Sequence, residues 1–150
     1  MAGLIDVLAV TLAGSSALAA LAGAWAWWQV RPARVFWLLL RGSQGAAVLL
    51  AGAAGVAAAL GRRPDDGLFW VYALIPIGVN FVSEQLRVVS AQTVLDSREI
   101  ESAQALGERP AAEQQSVVVA IMRREVGVMT LAAAVICFLA LRALGTSAGL

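Results

Sequence analysis

Long apolar stretches broken by short polar segments set the pattern of this chain. They run over about 4–28, 35–60, 68–87 and 125–144. A helix needs roughly 20 residues to cross a hydrocarbon core of about 30 Å, so each stretch is long enough to span. The breaks carry turn chemistry. Gln29-Val30-Arg31-Pro32-Ala33-Arg34 separates the first two stretches, and Gly61-Arg62-Arg63-Pro64-Asp65-Asp66-Gly67 separates the second from the third. The pattern predicts an all-α integral membrane four-helix bundle forming a single transmembrane domain, residues 1–150. The first stretch has no basic residue ahead of it, carries Asp6, and is followed by its arginines, the reverse of a signal peptide. It is expected to be a retained helix.

Residues 88–124 are the one sizeable polar region, and they read as helix rather than loose loop. Asp96, Arg98, Glu99, Glu101 and Glu108 alternate irregularly with Val94, Leu95, Ile100, Ala103 and Leu106. Gly107-Glu108-Arg109-Pro110 interrupts the pattern, with Gly as a helix stop and Pro as the start of the next helix. Spans three and four are therefore expected to extend beyond the membrane as a helical hairpin joined at a short turn.

Composition narrows the chemistry. Hydrophobic residues make up 60% of the chain and charged residues 14%, against roughly 25% charged in a soluble domain. All 11 basic residues are Arg and histidine is absent. Abundant Ala and Gly with Arg as the sole basic type point to a high-GC bacterial source. Without imidazole, bis-histidine haem, most zinc and copper sites and histidine general bases are excluded. Cys137 is the only cysteine, so one chain can form no disulfide. No phosphate-binding loop, nucleophile elbow or dinucleotide fingerprint occurs, and the arginines form no nucleic-acid patch. Asp65-Asp66-Gly67 lacks the further acidic residues of a metal-binding motif and reads as a turn. No cofactor, no metal and no enzymatic activity are expected.

Charge sets the expected orientation, because basic residues in short loops stay cytoplasmic. Arg31, Arg34, Arg41, Arg87, Arg98, Arg109, Arg123 and Arg124 fall at one side, against Arg62, Arg63 and Arg142 at the other. Both termini are then outside and the hairpin is in the cytoplasm of a bacterial inner membrane. Trp25, Trp27, Trp28 and Trp37 flank the first break and Phe69, Trp70 and Tyr72 the second, as interfacial belts do. Arg31, Arg34, Arg123 and Arg124 are expected to contact anionic lipid headgroups.

Polar residues inside a span are costly and each is a candidate for function. Arg41 lies roughly 9 Å and Gln44 about 13 Å inward from the start of the second span. Asn80, Glu84 and Arg87 share one face of the third span, with Gln85 beside them. Glu84 reaches the depth of Arg41, which predicts a buried Arg41–Glu84 ion pair between these spans. Pro76 and Gly78 predict a kink, since a helix-interior proline frees the carbonyl of Tyr72. Small residues (Gly14, Ser15, Ala19, Ala22, Gly23, Gly42, Gly45, Gly52 and Gly55) predict close helix packing within the chain or between copies. The leading expectation is a non-enzymatic accessory or scaffold subunit whose hairpin docks a protein partner or a second copy. The rival is a small oligomeric channel or transporter lined by the polar cluster.

Overall fold

A computed structural model describes residues 2–30, 34–100 and 103–150, and all regular structure among them is helical. Helix α1 is Ala2–Gln29, α2 Arg34–Ala59, α3 Leu68–Asp96, α4 Ala103–Gly107 and α5 Ala111–Gly145. Three segments are long and apolar enough to cross a membrane: Gly3–Gln29, Arg34–Ala59 and Ala111–Gly145. Helix α3 matches them in length, but Asn80, Glu84, Gln85 and Arg87 dilute the apolar character of its second half.

The buried positions recur every three or four residues. On α1 they are Ile5, Ala9, Leu12, Ser16, Ala19 and Gly23; on α2, Phe36, Leu40, Ser43, Ala47, Leu50, Ala54 and Ala57. On α5 the series is Val126, Met129, Ala133, Ile136, Ala140 and Ala143. This 3.5-residue period is the signature of left-handed, coiled-coil-like packing at shallow crossing angles. Helix α1 packs along α5 and α2, and α3 packs along α5 and α2, the α2–α3 contact being the slightest. Most of the buried positions are Ala, Ser or Gly, which let helix backbones approach. Many large apolar side chains point the other way: Leu21, Trp28, Leu38, Phe81, Leu131 and Phe138 are all more than half exposed. An exposed apolar coat of this extent is incompatible with water and suits lipid.

At one end the chain is tied together by its loops. The Ser147 hydroxyl donates to Asp6 Oδ1 (2.6 Å), and the Asp65 N–H donates to the Ala148 carbonyl (2.8 Å). Leu150 joins the core cluster that contains Ile5, Ala57 and Phe69. Asp65-Asp66-Gly67 is a turn, with Asp66 Oδ1 accepting from the Leu68 N–H (2.9 Å) as α3 begins.

The opposite end differs from expectation in one respect. The first arm of the hairpin does not run as one helix to Gly107; α3 stops at Asp96, and the chain reverses over residues 97–100. Glu99 adopts a left-handed conformation (φ 55°) and the Ile100 N–H donates back to the Leu95 carbonyl (3.0 Å). That reversal drives Ile100 into a small core with Val94 and Val117, backed by Leu106 and Ile121. Burying Ile100 outweighs the roughly 1–2 kcal/mol cost of a left-handed non-glycine residue. Gly107 ends α4 and Pro110 caps α5, where the Gln114 side chain donates to the carbonyls of Gly107 and Arg109. Glu101 lies outside the described residues.

Candidate functional site

Four of the six polar residues expected to cluster meet at the α2–α3 seam. Arg41 and Gln44 are one turn apart on α2, and Glu84 and Arg87 one turn apart on α3. Arg41 Nη1 donates to Glu84 Oε1 (2.7 Å) and to Gln44 Oε1 (2.6 Å), and Gln44 Nε2 donates to the same carboxylate oxygen (3.0 Å). Arg87 Nε lies 3.4 Å from Glu84 Oε2, and its guanidinium stacks 5.2 Å from the ring centre of Trp37. One carboxylate thus engages two guanidinium groups and an amide, and the cluster carries a net positive charge.

The pair forms, but it is not buried as expected. The Arg41 side chain is 55% exposed and that of Glu84 28%. The cause is register: the buried stripe of α2 passes through Leu40, Ser43 and Ala47, and Arg41 and Gln44 each sit one position past it. The cluster therefore lies on the outer rim of the seam. Asn80 and Gln85 do not join it, and neither side chain has a hydrogen-bond partner among the described residues. Pro76 is buried, and α3 continues unbroken through it and through Gly78.

Three of the four expected headgroup arginines, Arg34, Arg123 and Arg124, fall among the described residues. Arg31 lies outside the described residues. Arg34 is the exposed first residue of α2. Arg124 is exposed with no ion pair among the described residues, and Arg123 stacks on Trp27 at 5.2 Å. Arg142 does the same over Tyr72 at 5.3 Å near the other end. These three cation–π contacts join residues far apart in sequence. Their only advance signal is the coincidence of an interfacial aromatic and an arginine at one membrane boundary.

The expected glycine packing is also redistributed. At Gly42, Gly45, Gly52 and Gly55 a Cβ would meet only open space. Of the expected glycines it is Gly23 that sits at a close approach, where a Cβ would collide with Thr130 Oγ1 and the Phe36 ring; Gly127, outside that expectation, faces Trp27.

Chemically, the cluster can hold two helices together and present positive charge. Among the described residues no group of three Cys, Asp or Glu side chains could hold a metal ion. No family model, curated protein or solved structure matches the chain.

Proposed function

We propose that the protein is a four-span subunit of a bacterial cytoplasmic membrane, with both termini outside, that acts without catalysis by docking a protein partner on its cytoplasmic helical projection. Connectivity supports the fourth crossing. The end of α2 and the end of α5 belong to one layer, through Ala57, Leu150 and the Asp65–Ala148 bond. If α2 and α5 both cross, the chain must return between them, and α3 is the element that does so. Its outward face, with Val71, Leu74, Phe81, Val82 and Leu86 exposed, is as apolar as those of its neighbours.

The observation that carries the docking reading is that the projection is a built structure. Helix α5 is 35 residues long, about 52 Å, against a hydrocarbon core of about 30 Å. The excess of α3 and α5 is closed by its own core of Val94, Ile100 and Val117 and pinned by Arg98 Nη1 donating to Ser116 Oγ (3.2 Å). Val88, Val89 and Val118 remain exposed on it, which leaves apolar surface for a partner. Deleting residues 96–113 is expected to abolish co-purification of the partner while membrane insertion persists; undiminished partner recovery would refute docking.

The channel reading draws less support. The centre of the helix packing is filled by Leu12, Leu50, Phe69 and Ile136, and Arg41 faces outward. A path along this cluster would have to form between copies.

A further inference from the structure

We propose that the groove between α1 and α5 binds one anionic phospholipid, with its phosphate on Arg123 and Arg124 and an acyl chain in the slot beneath Trp27. The proposal rests on the membrane reading above but is independent of partner docking.

Two clefts meet at Trp27. The outer one, about 470 Å³, is lined by Trp27, Ser116, Val119, Ala120, Arg123 and Arg124. The inner one, about 310 Å³, is lined by Ala24, Trp27, Gly127, Thr130 and Leu131. One end is therefore basic and the other apolar, the polarity of a phospholipid. On α5, residues 116, 120, 123, 127 and 131 fall on one stripe, so the clefts form a continuous track along the helix. From Arg123 to Leu131 the rise is about 12 Å, within the roughly 15 Å that one leaflet contributes to a hydrocarbon core of about 30 Å.

Each lining residue has a part in that fit. Arg123 stacks its guanidinium on Trp27, a contact that uses the face of the group and leaves its N–H donors in the ring plane for phosphate oxygens. Arg124 is exposed and has no ion-pair partner among the described residues. Gly127 keeps the slot open: a Cβ there would stand 3.3 Å from Trp27 Nε1. The occupant must be both apolar along most of its length and anionic at one end. A free phosphate would not use the slot, and a neutral lipid would not use the arginines. Two arginines at about 1 kcal/mol each correspond to about thirtyfold in affinity.

The test is native mass spectrometry of delipidated protein titrated with phosphatidylglycerol or with phosphatidylcholine of identical acyl chains. One phosphatidylglycerol should be retained about thirtyfold more tightly than phosphatidylcholine. Arg123→Gln with Arg124→Gln should reduce that preference to near unity, whereas Arg62→Gln with Arg63→Gln, at the other end, should leave it unchanged. Ala24→Phe, at an exposed position of α1, should weaken both lipids by filling the slot. Equal retention of the two lipids by the wild type, an undiminished preference in the Arg123/Arg124 variant, or displacement of the lipid by millimolar inorganic phosphate would overturn the proposal. The variant lacking residues 96–113 keeps every lining residue, so failure of partner docking would leave this measurement intact.

Discussion

Three helices come together at Gly23, because α1 has no side chain there and Thr130 and Phe36 fill the space. Even a Cβ forces the Phe36 ring or Thr130 to move, and overpacking of this kind costs about 1–3 kcal/mol. Gly23→Val is expected to lower the unfolding midpoint in detergent, whereas Gly52→Val, on the open side of α2, should leave it nearly unchanged. The Arg41–Glu84 pair behaves differently. It is short, but half-exposed, and polar contacts between membrane helices average about 0.6 kcal/mol. A double-mutant cycle with Arg41→Gln and Glu84→Gln should return a coupling below about 1 kcal/mol; a value of several kcal/mol would mean that the pair is shielded by something beyond this chain. That these two residues meet was legible from depth alone, since seven residues into α2 and the last turns of span three reach the same level. Their exposure was not legible, because it depends on which face of each helix turns inward.

Among the elements, the hairpin owes its shape to three residues more than to helix propensity. Val117 is fully buried and Ile100 nearly so, and both come from stretches too polar to be ordered by the membrane. Val117→Asp places a charge in that core and is expected to open it. Amide exchange over residues 88–96 and 103–121 should then accelerate while the interior of α1 and α2 stays protected. Exchange rising equally throughout would mean that the hairpin does not fold as a separate unit. The stop at Gly107 and the start after Pro110 were readable from local chemistry. The reversal at Glu99 was not, since the residue has no intrinsic preference for φ 55° and adopts it only because Ile100 gains a place in the core.

For the whole molecule, the consequential feature is the segregation of its two ends. Asp6, Asp65, Ser147 and Leu150 gather at one, and the hairpin lies at the other. In the proposed orientation the hairpin lies in the cytoplasm. In a Cys137→Ser background, Arg62→Cys should react with a membrane-impermeant maleimide on intact cells, and Glu108→Cys should react only after lysis. The reverse pattern would invert the orientation, and labelling of both from outside would remove α3 from the crossings.

The sequence by itself determined where the helices lie, where polar breaks separate them, and which chemistries are out of reach for want of histidine and paired cysteines. Hydropathy suffices for that, because in a membrane it selects what is inserted. It could not separate the core face from the lipid face, since both are apolar and hydrophobicity has no direction around such a helix. Tertiary structure decided that: Ala, Ser and Gly23 turned inward where backbones could approach, with Leu12, Phe36, Leu50 and Phe69 filling the space between, and Leu21, Trp28, Leu38 and Phe138 were left on the outside. The same choice of faces set Arg41 on the rim rather than in the centre and brought Trp27 over Arg123.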